Sequence, residues 1–166
     1  MSYVRLINVT KQFGNVTAVN SLNLEIGKGE CFSMLGPSGC GKTTTLRMVA
    51  GFEDLTDGEI YVGDRLLSSP KRNYYLPPED RNFGMVFQAF AVWPHLSVYE
   101  NVAFPLRIRK LPAAEIDKRT KDALRATNLL DAADKSPATL SGGGKQRVAL
   151  ARALAINPDV MLLDEP

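Results

Sequence analysis

Histidine occurs once, at His95, and cysteine twice, at Cys31 and Cys40. The three residues are too few for a zinc site of the usual ligand count, and the cysteines form no Cys-x-x-Cys pair. A disulfide framework is equally out of reach, which favours a reducing compartment. No run of the sequence attains the roughly 18 apolar residues that a membrane-spanning helix needs. The first ten residues lack a basic stretch followed by an apolar core, so neither a span nor a secretion signal is expected. Charge of one sign is scarce as well: 20 Lys+Arg against 18 Asp+Glu leave a net +2, too small for a nucleic-acid surface.

What is present is the composition of an ordinary globular protein, 23% charged and 45% hydrophobic. At 166 residues, and with about 150 residues per domain, there is room for one core with a small inserted subdomain. Eight of the 13 glycines lie between Gly27 and Gly63, and three more at Gly142 to Gly144. In such clusters the backbone turns sharply or approaches something closely. From Val4 to Gly36 the pattern is β-like: Leu6, Val9, Leu22, Leu24 and Ile26 alternate with polar residues, and the apolar run Cys31 to Leu35 predicts a further strand. Lys42 to Ala50 reads as a helix stopped by Gly51. Asp57-Gly58 marks a turn into the strand Glu59 to Val62, and Gly84 to Phe87 is another short strand.

After Gln88 the pattern turns helical. Ser97-Val98-Tyr99-Glu100 has capping-box spacing and predicts a helix running toward Pro105. Pro112 suits the start of a second helix, with Ile116, Thr120, Ala123, Leu124 and Thr127 at helical spacing. A third is predicted from Lys145 to Ile156, directly after the three glycines, and Val160 to Leu163 reads as a buried parallel strand. The expected fold is therefore an α/β core with a helical insertion: a β-rich part over residues 1–88, a helical subdomain over 89–150, and a return to the core over 151–166. A parallel strand so close to the end implies an incomplete domain.

Gly36-Pro37-Ser38-Gly39-Cys40-Gly41-Lys42-Thr43 fits G-x-x-x-x-G-K-[ST] between a predicted strand and a predicted helix. Backbone N–H groups unobstructed by Cβ atoms form a concave anion site at the positive end of the helix. Lys42 is then placed to meet the β- and γ-phosphates, and Thr43 to offer a hydroxyl to Mg²⁺. Thr44 completes the nucleotide-binding set. Val160 to Glu165 supplies the complementary half, an apolar strand delivering Asp164 for the Mg²⁺ shell and Glu165 as the general base for water.

Leu140-Ser141-Gly142-Gly143-Gly144-Lys145-Gln146-Arg147, together with the phosphate loop and Leu-Leu-Asp-Glu-Pro, resembles the ATP-binding-cassette family, whose signature is L-S-G-G-Q at the head of a helix. The resemblance covers the whole chain in the family's order and implies a phosphate-loop ATPase fold. It implies that Ser141, Gly142 and Gly143 contact the γ-phosphate of ATP held by a second copy, that Gln88 senses Mg²⁺ and the attacking water, and that Phe13 stacks on adenine. At Gly144 the sequence departs from the expected glutamine. His95 is not the family's switch histidine, which would follow Pro166, as would the loop after the carboxylates. It reads as a surface residue at the approach to a helix.

The stretch from Leu76 through Gln88 to Val102 resembles the importer branch serving sugars, polyamines or ferric iron. That resemblance implies an ATP-hydrolysing subunit in a head-to-tail dimer, using ATP and Mg²⁺, at the cytoplasmic face of the membrane. Its implied partners are membrane-spanning permease subunits and, indirectly, a solute-binding protein, with no nucleic acid. Phe90 and Trp93 face a permease helix on this reading, or belong to the helical core. The rivals are a soluble cassette ATPase of DNA repair or translation and a non-catalytic nucleotide-binding fragment.

Overall fold

In the computed structural model, residues 2–165 are described, and Pro166, the last residue of the carboxylate motif, lies outside them. The chain divides into two compact units, Met1–Arg81 and Asn82–Pro166.

In the first unit, β1 (Ser2–Phe13) and β2 (Val16–Gly27) form an antiparallel hairpin. The alternating apolar residues meet across it, Val4 opposite Ile26, Leu6 opposite Leu24 and Val9 opposite Leu22. Left-handed Asn8 breaks the alternation between Leu6 and Val9, and this bulge keeps both side chains buried. β3 (Asp57–Val62), β4 (Arg65–Ser69) and β5 (Tyr74–Tyr75) extend the sheet in the order β2-β1-β3-β4-β5. Helix α1 (Lys42–Ala50) buries Thr45, Met48, Val49 and Ala50 and ends at left-handed Gly51, as predicted.

The run Cys31 to Leu35 is not a strand. It is irregular and largely exposed, with Phe32 44% and Leu35 94% accessible. An apolar run makes a strand only where a neighbour supplies the hydrogen-bond ladder, and among the described residues neither sheet includes this segment.

In the second unit, β6 (Phe83–Val86) pairs in parallel with β7 (Val160–Leu163). Only Leu162 of β7 is buried, so the expected fully buried strand is a half-covered one. Helix α2 (Val98–Ile108) opens on the predicted capping box: Ser97 Oγ accepts the Glu100 N–H, and Glu100 accepts the Ser97 N–H at 2.8 Å. It continues three residues past Pro105. Helix α3 (Ala113–Ala126) follows Pro112, and α4 (Gly142–Ala155) starts three residues before the predicted Lys145. Ser141 caps α4 and draws the glycines into its first turn. The three helices share a core of Val98, Val102, Leu106, Leu124, Val148 and Ala151, while α4 also covers β6 through Ala149 and Ala153.

Candidate functional site

The first unit holds the phosphate loop. Gly41, at the head of α1, has φ 93°, and a Cβ there would lie 2.6 Å from the Ala18 carbonyl oxygen on β2. Conformation and space therefore both require glycine. No side chain caps α1, so its leading N–H groups and positive dipole end suit an anion. Lys42 folds over the loop, its Nζ donating to the Gly36 carbonyl at 2.8 Å and the Pro37 carbonyl at 2.9 Å. Thr43 and Thr44 sit half-buried in the first helical turn, while residues 36–40 are exposed. Phe13 is 46% exposed, with the Lys11 ammonium 4.7 Å above its ring.

A buried cation anchors the other end of α1. Arg81 is 1% exposed, and its guanidinium donates to the carbonyls of Leu76, Met48 and Val49 and to Ser68 Oγ, all within 2.7 to 2.9 Å. Burial lowers its pKa, yet arginine keeps its proton. The last carbonyls of α1 thus meet a positive charge, the favourable pairing at a helix C-terminus. The sequence marks this role only as one arginine inside a longer family-like stretch.

The second unit brings Gln88 and Glu165 together. Phe83 pairs with Val160 and Val86 with Leu163, a constant separation of 77 residues, as for Gln88 and Glu165. Each lies two residues beyond the last pair of its strand, and Gln88 Nε2 donates to Glu165 Oε2 at 2.6 Å. Both side chains are exposed, whereas Asp164 is 7% exposed and its N–H donates to the Val86 carbonyl at 3.0 Å. Ser141, Gly142 and Gly143 are exposed at the head of α4, and Ser141 Oγ accepts the Gly144 N–H at 3.2 Å. A Cβ on Gly144 would lie 2.9 Å from Leu140 Cβ, so the glutamine expected here would displace Leu140. His95 is exposed two residues before the cap Ser97. Trp93 and Phe90 are half-buried. Trp93 lies 4.7 Å from Phe104 with the Arg152 guanidinium over its ring.

Residues 19–166 match the family model described as ABC transporter. The chain belongs to the ABC transporter family. It is 51% identical over its full length to a trehalose/maltose import ATP-binding protein of Thermococcus litoralis, of which it covers 45%. A spermidine/putrescine import ATP-binding protein of Rubrobacter xylanophilus is 53% identical over 98% of the chain, which covers 42% of that protein. An Fe(3+) ions import ATP-binding protein of Photobacterium profundum is 47% identical over 99% of the chain, which covers 45% of it. The chain thus spans somewhat less than half the length of these relatives. A dimeric ATP-binding cassette in a post-hydrolysis state bound to ADP and Pi aligns with a TM-score of 0.82 at 37% identity, over 98% of this chain and 74% of that one. The fold is accordingly the α/β fold of the ATP-binding cassette. Among the described residues no helix is long and apolar enough to cross a membrane.

Proposed function

We propose that this chain is the ATP-binding and ATP-hydrolysing part of a solute importer's energising subunit. It would act at the cytoplasmic face of the membrane, as a head-to-tail pair docked on permease subunits that receive solute from a binding protein. Its relatives' names support the importer reading, since they include sugar, polyamine and iron import proteins. The observation that carries the hydrolytic reading is the strand register that sets Gln88 on Glu165.

The chemistry is phosphoryl transfer to water. Gly36 to Thr44 hold the triphosphate, Lys42 exchanging its two carbonyl partners for phosphate oxygens, and Phe13 stacks on adenine. A water attacks the γ-phosphorus, the bond to the β,γ-bridging oxygen breaks, ADP leaves, and Glu165 takes the water's proton. The Gln88 amide fixes one Glu165 oxygen and leaves the other for that water. Ser141, Gly142, Gly143 and the open head of α4 meet the γ-phosphate bound by the partner copy.

The donors Thr43 hydroxyl, Gln88 amide oxygen and Asp164 carboxylate are hard oxygen ligands of the kind Mg²⁺ takes. Among the described residues there is no cluster of three or more His, Cys, Asp or Glu able to hold a metal alone. The ion would be held together with the substrate's phosphates and would neutralise charge on the transferred group.

Two variants of the intact protein test this reading. Lys42→Ala should weaken ATP binding in calorimetry by about 1.5 to 3 kcal/mol, the worth of a charge-assisted contact. Glu165→Gln should bind ATP normally while turnover falls by about 10² or more. Unchanged affinity in the first, or wild-type turnover in the second, overturns the assignment.

A further inference from the structure

Arg152 lies on α4, the helix whose head carries Ser141 and Gly143, yet it points to the segment that follows Gln88. Its Nη1 donates to the Ala91 carbonyl at 2.8 Å, and its guanidinium sits 4.4 Å from the Trp93 ring centroid. Ala91 adopts φ 47°, a conformation costly to an L residue and held only where the surroundings impose it. Beside it, the Phe90 ring approaches α4 again: a Cβ on Gly142 would meet it at 3.6 Å. The far side of the segment is fixed to α2. Asn101, fully buried, accepts the Trp93 N–H at 2.9 Å and donates to the carbonyls of Trp93, Leu96 and Ser97.

Residues 90–93 are thus clasped between the signature helix and α2, and the tethered Ala91 lies three residues downstream of Gln88. Three residues of chain span at most about 11 Å, so Gln88 has little slack with which to ignore a movement of α4. Arg152 is a costly choice if only packing were needed. Burial lowers its pKa, and among the described residues its hydrogen-bond partner is a carbonyl, with no carboxylate ion-paired to it. Its planar fork reaches a carbonyl and an aromatic face together, which an apolar residue cannot do and a lysine does less well.

We propose that Arg152 is a positioning residue that ties the signature helix to the backbone after Gln88 and so holds Gln88 in register with Glu165. The inference rests on the hydrolytic reading above. Trp93 is the only tryptophan in the sequence, so its emission reports the clasped segment directly.

The test uses the intact protein with Arg152→Met, Arg152→Lys and Ala91→Pro. The proline cannot adopt the positive φ and should carry the carbonyl away from Arg152 from an exposed position outside the core. Arg152→Met and Ala91→Pro should each lower kcat about tenfold with KM for ATP within about twofold, the pattern of a misplaced group rather than weakened binding. Acrylamide quenching of Trp93 should rise in both. Arg152→Lys should recover part of kcat and part of the protection. Unchanged kcat, unchanged quenching, or equal loss in the Lys and Met variants overturns the proposal; if Arg152→Met fails to fold, Ala91→Pro decides by the same two readings. A wild-type protein without turnover sinks the hydrolytic reading and with it any effect of Arg152 on turnover, while quenching still decides whether the tether exists.

Discussion

Replacing Arg81 should unfold the first unit at markedly lower denaturant than the wild type. Its guanidinium makes four hydrogen bonds and is 1% exposed. Met48 O would keep a second donor, the Gly51 N–H at 3.2 Å, but Val49 O is a buried acceptor served by Arg81. Orphaning one buried carbonyl costs about 1 to 3 kcal/mol. In Arg81→Met the lost bonds to Leu76 and Ser68 and imperfect filling of the space bring the total to about 3 to 5 kcal/mol. With a urea slope of about 2 kcal/mol per molar, the midpoint of the first unit should fall by about 1.5 to 2.5 M. Arg81→Lys should be at least as damaging: it keeps a charge that must still be desolvated but lacks the fork that reaches two helix carbonyls, Leu76 and Ser68 at once. Urea titration followed by circular dichroism measures the loss, with Trp93 emission as a control for the second unit. A lysine variant within about 1 kcal/mol of wild type would show that charge rather than fork geometry matters, and the reasoning would fail.

Three glycines in the first turn of α4 weaken it, and a methyl at Gly143 would meet nothing within 4 Å. Gly143→Ala should therefore raise the denaturation midpoint by the equivalent of about 0.4 to 1 kcal/mol. It should nonetheless lower ATP turnover if that backbone meets phosphate, and a variant that gains stability with no loss of rate would argue against the signature role. The N–H of Ser97, and then its hydroxyl, hold Glu100 below its ordinary pKa of 4.5. A depressed carboxylate contributes stability that is complete above the ordinary value and lost as pH falls through the lowered one. Glu100→Gln should accordingly flatten the acid limb of the second unit's stability below pH 4.5, and an unaltered limb in the variant would place that titration on other groups.

What could be read from the sequence was local. The ends of α1, the capping box at Ser97 and Glu100, and the apolar alternation of β1 against β2 each depend on residues within a few positions or on a short hairpin. Gln88 and Glu165 were legible for a related reason, since each follows an apolar strand, and a parallel pair delivers both at the same end. The failures needed partners from elsewhere. Cys31 to Leu35 has strand composition and no ladder. Gly142 to Gly144 look like a loop by propensity, but the Ser141 cap and the burial of Gly144 make them helix. Arg81 and Arg152 carry no periodic signal, because their work is to reach carbonyls 33 and 61 residues away in sequence.

The contact between Gln88 and Glu165 is set at the far end of the strands that carry them. In a parallel pair with side-chain period 2, a one-residue slip would turn Glu165 to the opposite face and set it beside Phe87 rather than Gln88. Two features at the far end of the strands oppose that slip. Asn82 Nδ2 donates to Asp159 Oδ2 at 3.1 Å across the same 77-residue separation, and the Asp159 N–H donates to the Asn82 carbonyl at 3.0 Å. Gly84 is the second: a Cβ there would lie 3.0 Å from the Ala153 carbonyl oxygen and from Met161 Sδ. Because β6 has no side chain at that point, α4 lies close against the pair, and a slipped register would bring Phe83 or Met85 into a space only hydrogen fills. The spacing of Gln88 and Glu165, the proposed catalytic pair, is therefore a consequence of how closely the signature helix packs on β6, so one helix governs both the proposed trans contact at its head and the proposed cis pair at the strand ends.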